Sequence, residues 1–437
     1  MFQYYLKLSW LSIKRTPMLS ALMVIAIGLG ISVSITVLTV DYLMSKDPLP
    51  GKSHKLFHVQ LDTYNKGNTD SAPGGLPYQL TYQDLMNLSR SEIPSKQSRS
   101  LRSGFSVIPE KVGLTPFSRS ARVIDNDFFE MFKVPFLFGS PWEDEVNNKA
   151  KKVVVIAKRL NDKLFDGENS VGKTINLDKQ LFTIVGVIDT WEPTPRFYDV
   201  NNGAFSDTEQ LFIPFSLIPV LELPSWGSNN AWKSEVFESY EDKLRSETMW
   251  LQYWVQLDTK AKQEEYREFL AGYVEQQRPL GRFEKEDAKT DIKDVVQWME
   301  NNRVVSDDNS VLVGLSFMFL AVCMLNTIAL LLAKYLKRAP EVGVRRALGA
   351  SKLEIFTQHI VDVGLIGLAG GALGLLLGQL GLLGVKSLYA NYERLVNMDL
   401  TLIATAIGLA IGASIIAGLY PAWLICRTNP SIYLKTQ

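Results

Sequence analysis

MLSALMVIAIGLGISVSITVLTV, Met18 to Val40, contains no charged residue. The same holds for Val311 to Ala333, Val363 to Val385 and Leu400 to Cys426. At about 1.5 Å of rise per residue, roughly 20 apolar residues cross a hydrocarbon core, and only a helix satisfies its own backbone there. These runs therefore predict membrane helices at 18–43, 311–335, 358–385 and 401–426. The segment before the first, MFQYYLKLSWLSIKRTP, reads as an amphipathic helix over 1–17. Leu38, Thr39 and Val40 lack the small-residue spacing of a cleavage site, so the first span is expected to remain as an anchor.

Orientation follows from the basic residues. Lys7, Lys14 and Arg15 precede the first span, and Lys334, Lys337, Arg338, Arg345, Arg346 and Lys352 lie between the second and third. Arg427 and Lys435 follow the fourth. The positive-inside rule places all three segments in the cytoplasm, including a loop at 336–357 and a tail at 427–437. Residues 44–310 and the short loop 386–400 then face outward. A formal net charge of zero over 437 residues hides this segregation.

The outer region mixes strand patterns (KLFHVQLDTY, KKVVVIAK, WLQYWVQLDT) with helical ones (TYQDLMNLSRS, KAKQEEYREFLAGYVEQQ), which predicts a layered α/β domain. Proline-rich and aromatic composition from Trp191 to Trp232 suggests a second subdomain inserted at about 191–295. Its segments WEPTPRFYDV and LPSWGSNNAW read as exposed contact surfaces. The region has no cysteine, since Cys323 and Cys426 belong to the spans. His54 and His58 are four apart but fall in an alternating pattern, so no metal site is expected.

GENSVGKT, Gly167 to Thr174, matches the phosphate-binding pattern G-x-x-x-x-G-K-[ST]. Such a loop must run from a strand into a helix. Here a helical pattern precedes it and a β-rich one follows, on the side of the membrane away from ATP. We therefore expect no nucleotide-binding site there, and no catalytic residues stand out elsewhere.

In the third span Gly370, Gly374 and Gly378 form one small-residue stripe, and Gly408 and Gly412 repeat the spacing in the fourth. Small residues let helices approach closely in lipid, either within one chain or between two copies. His359 and Asp362 near the start of the third span are expected to be structural, although ionisable groups in a membrane are functional candidates by default.

KRAPEVGVRRALGASKLEIFTQHIVDVGLIGLAGGALGLLLGQLG resembles the signature of FtsX-type permeases, in which a charged cytoplasmic segment leads into a glycine-rich span. YPAWLICRTNPSIYLK, with Tyr420-Pro421-Ala422 and Asn429-Pro430, resembles their closing motif. FFEMFKVPFLFGSPW and VVVIAKRLNDKLFDGENSVGKTINLDKQLFTIVGVI are similar to the periplasmic core domain of MacB-like proteins. The resemblance implies a mechanotransmission ABC permease of an inner membrane, working as a dimer with a second copy or a paralogue. ATP and magnesium would be held by a separate cytoplasmic ATPase, because only Met1 to Pro17 precede the first span, and this chain would carry no cofactor. Further implied partners are a periplasmic adaptor and a TolC-like outer-membrane channel, with peptides or other amphiphilic compounds as cargo. A lipoprotein-releasing permease and a signalling protein acting on a cell-wall hydrolase are the rival readings.

Glu341, Val342, Gly343, Val344, Arg345, Arg346, Ala347, Leu348, Gly349 and Ala350 are the expected coupling element. Val344, Ala347 and Leu348 recur at helical spacing and would enter a groove on the ATPase. Arg345 and Arg346 would pair with its carboxylates, and Gly343 and Gly349 would permit close approach.

Overall fold

The computed structural model describes residues 2–64, 72, 74–304, 307–388 and 400–427. It divides into two compact units, Met1–Met44 with Val305–Gln437, and Ser45–Val304.

In the first unit a short helix, Phe2–Arg15, is followed by four long ones: Pro17–Ser45, Asp307–Ala347, Lys352–Leu388 and Leu400–Arg427. All four are long and apolar enough to cross a membrane. The break at Thr16 has a local cause, because a residue before proline is pushed out of the α region. Pro17 then opens the first span, where a missing N–H costs nothing, and the Thr16 carbonyl accepts from the Ser20 amide at 3.0 Å.

Glycines set how the spans meet. A Cβ at Gly370 would lie 2.7 Å from Ile27 Cγ2, and one at Gly374 would lie 2.9 Å from Ile31 Cγ2. The carbonyl of Gly378 accepts from Thr36 Oγ1 at 3.3 Å. The stripe thus faces the first span of the same chain, which resolves the alternatives left open above. Gly30 turns the first span toward the second, since a Cβ there would reach within 2.8 Å of Leu320 Cδ1. The third and fourth spans meet at Gly367, Gly371 and Gly418, where added Cβ atoms would strike Ser414, Ala410 and Val363. Gly408 and Gly412 take no part in packing within the chain: a Cβ on either meets nothing within 4 Å. The fourth span's packing stripe runs instead through the buried Ala406, Ala410, Ser414 and Ala417.

Among the described residues the second unit is built on one eleven-stranded sheet. Its strands are β1 (Leu56–Leu61), β2 (Leu80–Thr81), β3 (Lys96–Ile108), β4 (Phe117–Ile124), β5 (Phe136–Gly139), β6 (Val153–Ala157), β7 (Thr174–Leu177), β8 (Gln180–Ile188), β9 (Leu211–Pro214), β10 (Met249–Gln256) and β11 (Thr290–Asp294). The order is β11-β1-β10-β3-β4-β9-β6-β8-β5, with β2 on β10 and β7 on both β3 and β8. Pairing is parallel for β4 with β9 and for β6 with β8. Side chains alternate between two cores, one on each face. In β6, Val154 and Ile156 join one core, while Val153 and Val155 join the other.

This continuity corrects the expected subdomain at 191–295. That stretch supplies β9, β10 and β11, and β10 lies between β1 and β3 inside the common sheet. WEPTPRFYDV is also internal: Trp191, Phe197 and Tyr198 are buried, and Trp191 stacks on Tyr198 at 5.3 Å. Its aromatics pack into the core on one face of the sheet, and charge is buried beside them. Arg122, Asp199, Arg196 and Glu209 are all fully buried and mutually paired, with Tyr198 donating to Glu209 at 2.9 Å. The two guanidiniums hold the Glu209 carboxyl below the usual carboxylate range despite its burial. In LPSWGSNNAW, Trp226 keeps one face exposed but lies over Gly104 of β3, where a Cβ would come within 2.1 Å of its ring.

GENSVGKT connects a helix, Lys158–Phe165, to β7. Gly167 and Gly172 take φ of +81° and +86°, the left-handed conformation that the two turns require. The Gly172 amide donates to the Ile184 carbonyl at 2.8 Å and the Lys173 amide to Ser170 at 3.0 Å. These amides are committed to the fold, and Lys173 pairs with Glu168 at 3.6 Å. The loop runs from a helix into a strand, the reverse of the order that a phosphate loop uses.

Candidate functional site

The expected loop at 336–357 is almost entirely helical. The second span continues past Pro340 to Ala347, the third begins at Lys352, and only 348–351 lie between. Both ends are closed by their own sequence. Gly349, at φ +102°, donates to the Arg346 carbonyl at 3.1 Å, and Ala350 donates to Arg345 at 3.1 Å. This paired arrangement is the glycine-terminated Schellman ending of a helix. Ser351 then starts the next helix with a capping box, its hydroxyl accepting from the Glu354 amide at 3.2 Å while Glu354 accepts from the Ser351 amide at 2.9 Å. Gly349 therefore stops a helix, and Gly343 is buried inside one. Gly343 is thus enclosed by its own chain, whereas Gly349 lies exposed on the turn.

The turn presents an apolar tip. Val344, Leu348 and Leu353 are 47%, 83% and 73% exposed, and Ala347 beside them is exposed as well. Val342 and Ala350 pack inward against the bundle core. Arg345 and Arg346, expected to pair with a partner's carboxylates, are half-buried and each make a contact within the chain. Arg345 Nη1 donates to Gln358 Oε1 at 3.0 Å, and Arg346 Nη1 to the Cys426 carbonyl at 3.4 Å. Glu341 is held by Arg15 of the first helix at 3.1 Å.

Behind this tip is a buried ion pair that sequence reasoning reached by only one end. Lys334 Nζ lies 2.8 Å from Asp362 Oδ2, and both side chains are almost fully enclosed. Ser12 donates to the same carboxylate at 3.2 Å, and the His359 ring lies tilted against that of Tyr335, with centroids 4.2 Å apart. Lys334 read as part of the basic flank of a span. Its sequence distance of 28 from Asp362 gave no sign that the two helices run antiparallel at one level.

These features define a class, a four-span membrane protein with a large mixed α/β domain inserted between its first and second spans. The chain belongs to the MacB-like and FtsX-like permease family. The family model described as the MacB-like periplasmic core domain matches residues 20–271, and that of the FtsX-like permease C-terminal region matches 313–430. The chain is 21% identical over 339 residues to the macrolide export ATP-binding/permease protein MacB of Syntrophobacter fumaroxidans, covering 71% of this chain and 46% of that protein. It is 22% identical over 443 residues to YvrN of Bacillus subtilis, an uncharacterized ABC transporter permease, covering 99% of both. The chain thus spans about half the length of the MacB relative and nearly all of YvrN. The crystal structure of the periplasmic region of MacB from Actinobacillus actinomycetemcomitans aligns with 57% of this chain and 94% of its own, at 14% identity and a TM-score of 0.34.

Proposed function

We propose that this chain is an ABC-transporter permease subunit that couples ATP hydrolysis on a separate cytoplasmic ATPase to movement of its outer domain. The observation that carries the reading is the tip at Val344, Leu348 and Leu353, exposed apolar side chains on a short capped turn between two helices. Apolar side chains at helical spacing fit a groove on a partner. The basic residues around the turn put it on the ATP side by the positive-inside rule. Among the described residues the spans carry few ionisable groups, and Lys334 with Asp362 neutralise each other, which favours a lever over a polar conduit. The unit would act as a dimer in an inner membrane, with a periplasmic adaptor and a TolC-like duct. The name of the Syntrophobacter relative includes macrolide export, and an amphiphilic cargo, peptide or otherwise, fits the same assembly. Purification of the tagged chain from its native membrane tests this: an ATPase, an adaptor and a duct should come with it. Recovery of a lipoprotein carrier or a cell-wall hydrolase in their place would refute the efflux reading.

A further inference from the structure

The same end of the membrane unit contains a cavity of about 60 Å³ between the first helix and the cytoplasmic ends of the second and third spans. Arg338, Glu341 and Arg345 line it from one helix face, as their spacing of three, four and seven dictates, and Arg15 lines it from the first helix. The charges there do not balance. Arg15 and Glu341 satisfy each other at 3.1 Å. Asp362, the next carboxylate inward, is taken by Lys334 at 2.8 Å. Arg338 donates to the Ser12 hydroxyl at 2.5 Å and Arg345 to the Gln358 amide oxygen at 3.0 Å, both neutral acceptors. Among the described residues neither guanidinium has a carboxylate within salt-bridge distance, although both are half-buried.

Two partly desolvated guanidiniums facing one cavity favour an anion. A planar fork of donors matches the oxygens of a phosphate. The rim identifies the kind of molecule that would bring it. Leu8 and Leu11 of the first helix form one wall, and Leu11, Trp10 and Tyr4 are exposed on that helix, as on a segment lying in a membrane interface. Basic pockets between spans at the cytoplasmic surface suit anionic headgroups. We propose that this cavity binds the phosphate of an anionic phospholipid of the cytoplasmic leaflet, with Arg338 and Arg345 as its ligands and Leu8 and Leu11 against its glycerol and upper acyl carbons. The bound lipid would tie the first helix to the span that ends in the coupling tip.

The test uses the full chain in detergent, with phosphatidylglycerol, phosphatidylcholine and inorganic phosphate as separate probes, read by native mass spectrometry and thermal shift. Phosphatidylglycerol should be retained and should raise the melting temperature, whereas phosphatidylcholine should do neither. The double variant Arg338→Gln/Arg345→Gln should weaken phosphatidylglycerol binding by about tenfold or more. Lys7→Gln/Lys14→Gln, which alters charge on the first helix outside the cavity, should leave it unchanged. If the double variant does not fold, Arg345→Gln alone, which preserves the contact between Arg338 and Ser12, carries the same expectation. Undiminished binding in the arginine variants overturns the proposal. So does binding of inorganic phosphate as tight as that of the lipid, which would assign the site to a free anion. Loss of ATPase recruitment with lipid affinity intact also overturns it and gives the arginines to the partner protein.

Discussion

Gly374 is one of the positions where two spans pass too closely for a side chain. An ideal Cβ there would stand 2.9 Å from Ile31 Cγ2, 3.0 Å from Ile31 Cβ and 3.1 Å from the Gly28 carbonyl oxygen. Carbon atoms settle at about 3.5–4 Å, so even one methyl group requires the two helices to part by roughly 1 Å. Overpacking of this kind costs about 1–3 kcal/mol, and Gly374→Leu, with three further carbons, belongs at the upper end. In lipid no hydrophobic gain offsets the loss, because helix association there depends on contact itself. A unit of this size loses about 2–4 °C of melting temperature per kcal/mol, so Gly374→Leu should melt about 5–10 °C lower. Cys323 and Cys426 are both buried in this unit, so a thiol-reactive dye added to the detergent-solubilised chain reports its opening. Gly408→Leu is the control, because a side chain there enters open space, and it should melt with the wild type. Equal melting of Gly374→Leu and wild type, with Gly408→Leu destabilised, would refute the packing deduced here and put the working seam on the fourth span.

Three further outcomes are expected. Val344→Asp/Leu348→Asp should reduce ATPase co-purification by at least tenfold while the purified chain melts normally, since burying each apolar side chain in a partner contributes about 1.5–3 kcal/mol; undiminished recovery of the ATPase would remove the tip from the coupling role. Glu209→Gln should destabilise the outer unit by about 3–5 kcal/mol in denaturant unfolding, because Arg122 and Arg196 would share only Asp199; a loss below about 1 kcal/mol would contradict the burial of that cluster. His58 is fully buried between Trp254 and Trp298 and burial pushes it down to about 3, so from pH 6.5 to that value the unfolded chain takes a proton that the folded chain refuses. Stability should therefore fall by about 1.4 kcal/mol per pH unit on acidification through that window, and His58→Phe should flatten this slope in tryptophan-monitored unfolding; an unchanged slope would exonerate His58.

What was legible beforehand has a physical pattern. Charge-free runs announce membrane helices because the bilayer tolerates nothing else, and Gly370 and Gly374 announced their seam because only glycine admits a backbone so close. GENSVGKT was judged by its flanks, and its flanks are local. The failures concern matters that local pattern does not carry. Trp191 to Trp232 looks irregular because its one strand is short and its turns rich in proline, yet that strand, β9, pairs with β4 and β6 far away in sequence. Gly408 and Gly412 have the spacing of a seam, but spacing does not say which way a helix is rotated, and within the chain they face open space. Arg345 and Arg346 read as surface charge because nothing in the sequence places Gln358 or the Cys426 carbonyl within their reach. The 348–351 turn was legible residue by residue, as glycine stop and serine start, but the longer run of charge around it concealed how little of it is loop.

The pair between Lys334 and Asp362 limits what kind of motion this membrane unit has at its disposal. Separating the two charges inside a bundle leaves each without compensation, at about 3–5 kcal/mol. Sliding of the second span past the third by one helical turn would incur that cost, with no second carboxylate recorded within salt-bridge distance of Lys334 among the described residues to catch it. The two helices are keyed together at this level and joined by a turn of four residues below it. A stroke applied to the turn must carry both as one bent rod, so the compliance needed for any working cycle has to reside elsewhere in the unit. The glycine-lined contacts with the first span, where smooth surfaces meet without interlocking charges, are the surfaces along which such a rod can shear.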